Sequence, residues 1–122
     1  MNTTQKFGYA SERKAAQLLE KRGYQIIARN YKKRYGEIDL IALEKDTLCF
    51  IEVKARVHPQ FDMTELIPKS KQKKIITVAK SYIAEHTDGE KACRFDVVLI
   101  NNTDNHLTIQ VIPDAFSEEE HF

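Results

Sequence analysis

The feature that most constrains the fold is a pair of alternating segments, GEIDLIALE and TLCFIEVKAR, that meet at the polar stretch EKD. Alternate residues of a strand share one face, and two such runs joined by a short polar turn are typical of a β-hairpin. With its turn centred in that stretch, the predicted hairpin places Asp39 opposite Glu52. The same register places Glu37 opposite Lys54.

Two carboxylates directly opposed on neighbouring strands, with Cβ atoms roughly 4.5–5.5 Å apart, repel each other and destabilise the sheet. A divalent cation removes that repulsion, and hard oxygen ligands suit Mg²⁺ or Mn²⁺. The alternative is a solvent-facing hairpin in which Glu37 and Lys54 form a surface ion pair worth well under about 1 kcal/mol. Other charges of the chain that are predicted to converge on the hairpin favour the metal site.

The remaining segments predict two helices and three more strands. Apolar residues at helical spacing predict a first helix in TTQKFGYASERKAAQLLEKRG, ending near Gly23, and a second in KSKQKKIITVAKSYIAEH, beginning near Pro68. YQIIARNYKK is typical of a strand followed by a basic turn, VHPQFDMTELIP of an irregular stretch, and CRFDVVLIN and LTIQVIP of two strands. The order α-β-β-β-α-β-β indicates one α/β domain over residues 1–122, with an acidic tail at about 114–122.

Glu12 is predicted to point toward the core. On a helical wheel it falls on the apolar stripe, beside Ala15 and Leu19. A buried carboxylate needs a partner, such as a metal or a lysine, because burying it unpaired is costly or forces protonation. The alternative is a salt bridge to Arg13 or Lys14 at the helix edge.

Lys71 is the lysine of PKSKQKK that is predicted to point inward. It precedes Ile75 by four residues and so begins the apolar stripe of the second helix, although a snorkelling side chain at a helix start is the alternative. Arg94 and Asp96 alternate with apolar residues on their strand and are predicted to form a structural pair.

Composition and charge exclude several classes of protein. With 42% hydrophobic and 30% charged residues, the chain is unlike a disordered one. No apolar run approaches the roughly 20 residues of a membrane span and the N-terminal segment lacks the apolar core of a signal peptide, so we expect a cytoplasmic protein without a membrane partner. Cys49 and Cys93 lie in apolar, strand-like runs and are predicted to be reduced core thiols.

Basic residues are concentrated although the net charge is only +1. The first 34 residues contain nine Lys or Arg against two Glu, and the segment PKSKQKK adds four lysines. Such clusters can follow a phosphate backbone, so a nucleic acid, DNA first among them, is the expected partner. The candidate nucleic-acid-binding residues are Lys32, Lys33, Arg34, Arg56, Lys71, Lys73 and Lys74.

These residue types at this spacing fit metal-assisted phosphodiester hydrolysis. Asp39 and Glu52 would hold one or two Mg²⁺ ions, and the carbonyl of Val53 could complete the shell. Lys54 would orient the attacking water or stabilise the developing negative charge. Lys71 could reach a phosphate oxygen.

The segments GEIDLIA and FIEVKAR resemble the acidic and ExK core of the restriction-endonuclease-like, PD-(D/E)xK nucleases. More closely, the whole chain resembles the YraN-type family of small bacterial predicted nucleases, which is distantly similar to archaeal Holliday junction resolvases. The resemblance rests on an ordered set along the chain: Glu12, Gly23 with Tyr24, Asn30, GEIDLIA, FIEVKAR, the helix led by Lys71, and RFDVV from Arg94.

This resemblance implies a central mixed β-sheet flanked by helices. It implies catalytic roles for Asp39, Glu52 and Lys54, and accessory roles for two further acids, Glu12 and Glu37. The chain departs from the pattern where Ile38 stands in place of the proline that often precedes the first acid, and where Ser11 stands in place of a residue that is often glycine.

The expected function is therefore an Mg²⁺- or Mn²⁺-dependent endonuclease that acts on DNA, with branched or structured DNA as one candidate substrate. Cleavage of a junction would favour two active sites and hence a symmetric homodimer. One alternative is a nucleic-acid-binding module of the same fold that does not cut. Another is a scaffold that contacts a protein partner through the acidic tail SEEEHF and hydrophobic edges.

Overall fold

The computed structural model describes residues 3–55, 61–89, 91–103 and 106–120, with side chains described at 10–55, 61–89, 91–101 and 106–119. The elements follow in the order α1 (Thr3–Lys21), β1 (Gln25–Lys33), β2 (Gly36–Glu44), β3 (Thr47–Ala55), α2 (Met63–Leu66), α3 (Lys69–His86), β4 (Cys93–Thr103), β5 (His106–Phe116) and a 3-10 turn (Glu118–Glu120). This confirms the predicted α/β order. The short helix α2 lies in the stretch that was predicted to be irregular, where Asp62 caps it by accepting a hydrogen bond from the Thr64 N–H at 3.0 Å.

The strands form one five-stranded mixed sheet in the order β1-β2-β3-β4-β5. Neighbouring strands are antiparallel except β3 and β4, which are parallel and are connected through α2 and α3. Within the part of the chain that the structure describes, no helix is long and apolar enough to cross a membrane.

Helices α1 and α3 cover opposite faces of the sheet, as predicted. Along β3, Leu48 and Phe50 pack in the core with α3, whereas Cys49 and Ile51 pack in the core with α1. This alternation is the period-two pattern of a strand that is buried on both faces. Glu52 continues the set that faces α3, so the strand itself directs this acid toward that helix.

The β2–β3 hairpin has the predicted register. Its paired residues run from Glu44 with Thr47 to Leu40 with Ile51. Just beyond the last pair, the Val53 N–H donates a hydrogen bond to the Asp39 carboxylate at 2.8 Å. A side-chain oxygen therefore accepts this strand N–H at the point where the ladder ends.

Two sequence predictions about the neighbouring segments are corrected. The basic stretch YKK is part of β1 instead of a turn, because Tyr31, Lys32 and Lys33 pair with β2. Lys32 is the ladder partner of Glu37, whereas the β2–β3 ladder stops before it reaches Glu37 and Lys54. The two predicted cross-strand pairs, Asp39 with Glu52 and Glu37 with Lys54, therefore both lie beyond the end of the ladder.

The cysteine prediction is right for one residue and wrong for the other. Cys49 is a fully buried free thiol, and burial raises its pKa to about 12. Cys93 is exposed, because it is the first residue of β4 and lies before the buried run that starts at Phe95. An apolar neighbourhood in sequence does not bury a residue at the end of a strand.

The predicted pair of Arg94 and Asp96 is confirmed. The Arg94 Nε lies 3.0 and 3.1 Å from the two Asp96 oxygens, and its Nη2 contacts the Tyr24 hydroxyl at 2.9 Å and Glu44 at 3.1 Å. Asp96 also accepts the Asp114 N–H at 2.9 Å. This network joins the segment between α1 and β1 to β2, β4 and β5, at the end of the sheet that carries the hairpin turn.

The segment predicted to be an acidic tail begins inside β5. Phe116 is buried, and its ring stacks on Phe95 with a centroid distance of 5.1 Å. Beyond it, Glu118 forms an ion pair with Lys80 of α3.

Candidate active site

Three of the predicted acids, Glu37, Asp39 and Glu52, and two of the predicted lysines, Lys71 and Lys74, line a single cavity of about 330 Å³ between the sheet and the start of α3. Asp39 comes from β2, Glu52 from β3 and Lys71 from the first turn of α3. The rest of the lining is Gly36, Ser70 and Ile75. The hairpin register and the helix position therefore bring together groups that are distant in sequence.

Glu52 and Lys71 form an ion pair inside this cavity. The Lys71 Nζ lies 3.2 Å from the Glu52 Oε2, and the side chain of Glu52 is 3% exposed whereas that of Lys71 is 44% exposed. Lys71 points inward because it precedes the buried Ile75 by about one helical turn. The side chain as a whole is 44% exposed, but its ammonium pairs with a buried acid; the inward prediction is therefore right, and the snorkelling alternative, in which the charged end turns to solvent, is not.

Asp39 and Glu52 are poorly accommodated as two negative charges. Burial raises the pKa of Glu52 to about 7, the charge of Asp39 adds to this, and Lys71 opposes it. Burial also raises the pKa of Asp39, against the opposing effects of the Val53 N–H and the Lys71 ammonium. The repulsion that the sequence predicted between these two acids is therefore present in the fold.

Glu12 reaches this acid pair from α1. Burial raises the pKa of Glu12 to about 7, and the charge of Asp39 raises it further. A side-chain hydrogen bond from Asn30 favours the ionised form, whereas a hydrogen bond to Asp39 requires a proton between the two carboxyl groups. Among the described residues no salt bridge joins Glu12 to Arg13 or Lys14, so the helix-edge alternative is wrong.

The pKa values of the two lysines of the site are shifted in opposite directions. Burial lowers the pKa of Lys54, and the neighbouring charge of Lys71 lowers it further. Burial also acts to lower the pKa of Lys71, but Glu52, Lys54 and Asp39 together raise it above its ordinary value. Lys54 is therefore the lysine that gives up its proton more readily, and Lys71 is the ammonium that balances the acids.

The sequence profile of the uncharacterised protein family UPF0102 matches residues 11–100. The chain belongs to this family. A UPF0102 protein of Desulfosudis oleivorans is 40% identical over 117 residues, which cover 95% of this chain and 94% of that relative. Another, of Chlorobium chlorochromatii, is 41% identical over 126 residues, which cover 98% and 97%. A third, of Psychromonas ingrahamii, is 43% identical over 112 residues, which cover 91% and 89%.

The UPF0102 match confirms the resemblance to the YraN-type family. It extends from Ser11 to Ile100 and so includes Glu12 and all the elements that line the cavity. The family is described as uncharacterised, so the relation to PD-(D/E)xK nucleases stays a prediction.

The donor set of this UPF0102 chain fits a hard cation through two carboxylates. The residues that the structure describes contain no group of three or more His, Cys, Asp or Glu side chains that could hold a metal ion together. The predicted set of Asp39, Glu52 and Glu12 is thus not assembled as three ligands of one ion. Mg²⁺ commonly binds through one or two carboxylates and keeps several waters, which Asp39 and Glu52 satisfy.

The other predicted site residues are scattered around the cavity. Glu37 lines it but is itself exposed, and Val53 is half-buried, with its N–H bonded to Asp39. Lys33 is engaged within the fold, because its Nζ lies 2.6 and 2.9 Å from the two oxygens of Glu85. The predicted basic residues with exposed side chains are Lys32, Arg34, Lys73 and Lys74. Arg56 lies outside the described residues.

Two residues that shape the site were not among the predicted site residues. Asn30 entered only as part of a family resemblance, yet its side chain bonds Glu12. Gly36 lies where α3 comes close to β2: a Cβ at this position would lie 3.3 Å from Val78 Cγ2 and 3.5 Å from Lys74 Cβ. The signals available in the sequence were an asparagine within a strand and a glycine at the start of one.

Proposed function

We propose that this protein is a divalent-cation-dependent nuclease that hydrolyses phosphodiester bonds in DNA. The observation that carries the proposal is the pair Asp39 and Glu52, which line one cavity and disfavour each other's ionised form. Two such acids, with Lys54 and Lys71 beside them, form a donor set that suits Mg²⁺ or Mn²⁺.

Asp39 and Glu52 would hold the cation, with the Val53 carbonyl as a further oxygen ligand. When bound, the cation would polarise the scissile phosphate and lower the pKa of an attacking water. Glu12 would act on Asp39 through their hydrogen bond, and Glu37 lies on the exposed side of the cavity as an accessory acid.

Lys54 would orient the attacking water and take its proton. Burial and the charge of Lys71 lower the pKa of Lys54, which makes its neutral, proton-accepting amine easier to reach. Lys71 keeps its proton and so supplies positive charge to a phosphate oxygen. The two lysines thereby take complementary roles in the same reaction.

The substrate would approach across the start of α3. Lys73 and Lys74 are exposed on this helix, and Lys74 also lines the cavity. Exposed basic side chains bind the phosphate backbone without reading its sequence, which suits recognition of DNA by shape, including branched DNA. The same proposal includes three further points: a relationship to restriction-endonuclease-like proteins, a cytoplasmic location, and a homodimer that brings two sites together.

Cleavage by the purified protein tests this function. Linear, supercoiled and four-way-junction DNA would be incubated with Mg²⁺ or Mn²⁺, using wild type, Asp39→Asn and Glu52→Gln. A matched control is Glu65→Gln, because Glu65 is an exposed acid of α2 outside the cavity. We expect cleavage by wild type and Glu65→Gln only. Equal cleavage by all four proteins, or by none, would overturn the proposal.

The second candidate is a nucleic-acid-binding module that does not cut. The exposed lysines of α3 favour this candidate, because they could bind phosphate without the acids of the cavity. The described residues also contain no group of three or more potential ligands that could hold a metal ion. This module would bind DNA with an affinity that falls as salt rises and that drops when Lys73 and Lys74 become alanine. Its binding would be unchanged in Asp39→Asn, and no cation would give cleavage.

A further inference from the structure

We propose that Lys71 is an internal counter-cation of the acid pair that a divalent cation displaces, so that its ammonium becomes available to a substrate phosphate only after the cation has bound. This inference rests on the proposed function. It adds an order of events to that function: Lys71 first neutralises the acids and then binds the substrate phosphate.

The contact with Glu52 carries the inference. Glu52 is almost completely buried. Within the described part of the chain, the salt bridge of Glu52 is the one to the Lys71 Nζ, at 3.2 Å. Lys71 therefore holds an oxygen that a cation between Asp39 and Glu52 would need. An ammonium and a divalent ion at one carboxylate oxygen repel each other strongly, so the two occupants exclude one another.

Lys71 is also able to leave. Its side chain is 44% exposed, and a lysine has a long, flexible stem. It belongs to the first turn of α3, beside Ser70 and near Lys74, and all three line the cavity. A displaced ammonium would stay at the cavity wall, where the phosphate of a substrate held by the cation would lie within its reach.

The buried acid needs such a counter-cation in the absence of metal. A carboxylate that is buried without a partner is strongly unfavourable, and here a second acid adds its repulsion. Lys71 supplies the compensating charge while the cavity holds no cation. The consequence is a competition in which the contact that stabilises the cation-free protein weakens the binding of the cation.

Lys71→Met tests this competition, because it removes the charge and keeps most of the side-chain length. The control is Lys69→Met, which removes an exposed lysine from the same first turn of α3 but outside the cavity lining. Mn²⁺ affinity would be measured by calorimetry. We expect Lys71→Met to bind Mn²⁺ at least about fivefold more tightly than wild type, the lower end of ordinary coupling between sites, and Lys69→Met to show no such gain. Unchanged or weaker Mn²⁺ binding by Lys71→Met would overturn the inference.

The release of Lys71 towards phosphate needs a second readout. Binding of a short DNA duplex would be measured with and without Ca²⁺, an oxygen-seeking cation. We expect Ca²⁺ to strengthen DNA binding by wild type and Lys69→Met, and to strengthen it less in Lys71→Met. An equal gain in all three proteins contradicts the release step.

A further variant covers the case in which Lys71→Met does not fold. Lys71→Gln keeps a hydrogen-bond donor for Glu52 but no charge, and the same tightening of Mn²⁺ binding is expected. The outcomes also separate the two proposals. If wild type binds Mn²⁺ and cuts DNA but the Lys71 variants bind Mn²⁺ no more tightly, only the inference fails. If no protein binds Mn²⁺, both fail.

Discussion

Asn30 of β1 donates a side-chain hydrogen bond to Glu12 of α1. Asn30 has a left-handed backbone, with φ 51°, and lies between two ladder pairs that place it across from Asp39. Asparagine tolerates this conformation better than most residues, which explains its presence in the middle of an edge strand. The first helix and the edge strand therefore meet at the acids of the site.

Replacing Asn30 should make Glu12 harder to ionise. Asn30→Gly keeps a residue that accepts the left-handed conformation but removes the amide that favours the Glu12 carboxylate. We expect the pKa of Glu12 to rise above its value in the wild-type protein, as followed by NMR of the side-chain carboxyl carbon. The control is Gln17→Ala on the exposed face of α1. An unchanged titration of Glu12 in Asn30→Gly would show that the hydrogen bond does not act on this acid.

Without a divalent cation, the protein should lose stability as the pH rises from 4.5 to about 7. These limits are the ordinary pKa of a glutamate and the raised pKa that Glu12 and Glu52 have in the folded protein. In this window the folded protein binds more protons than the unfolded chain, so the free energy of unfolding falls with rising pH. Each group contributes a slope of at most about 1.4 kcal/mol per pH unit. Urea denaturation across this range measures the slope. Glu52→Gln should flatten it and Glu65→Gln should not; equal slopes would contradict this reading of the buried acid.

Gly36→Ala should destabilise the protein by about 1 to 3 kcal/mol, the usual range for overpacking. The added methyl group would approach Val78 Cγ2 to 3.3 Å, closer than an ordinary contact, and push α3 away from β2. Val78→Ala removes the side chain that it meets, so a double-mutant cycle measured by urea denaturation should give a favourable coupling energy. Strictly additive effects would show that Gly36 does not set the distance between α3 and the sheet.

Asp96→Asn should cost several kcal/mol of stability without affecting cation binding. The change leaves the Arg94 guanidinium with only part of its partners, and breaking a buried ion pair typically costs about 3 to 5 kcal/mol. Thermal unfolding and Mn²⁺ calorimetry on the same sample measure the two effects. A loss of Mn²⁺ affinity with intact folding would place this network in the functional site instead of the scaffold.

Much of the site could be predicted from local patterns. The β2–β3 register follows from strict alternation around a short polar stretch, and the inward direction of Lys71 and Glu12 follows from helical periodicity. These patterns report which face a side chain occupies, and burial on both faces of the sheet makes that choice strong.

What could not be predicted depends on contacts distant in sequence. The segment YKK forms a strand through its pairing with β2, which local pattern does not reveal because the two lysines that follow Tyr31 give no apolar alternation. The β2–β3 ladder ends at Leu40, so the predicted pairs of Asp39 with Glu52 and of Glu37 with Lys54 lie beyond it, although their sequence positions matched. The role of Asn30 needed its position opposite Asp39, which no local pattern contains.

The most direct test of the account is a crystal structure of the protein grown with Mn²⁺, with anomalous scattering recorded to locate the ion. We predict an anomalous peak between the carboxylates of Asp39 and Glu52, with the Lys71 ammonium moved away from Glu52. A fully ordered cavity without a peak, in which Lys71 still contacts Glu52, would contradict it.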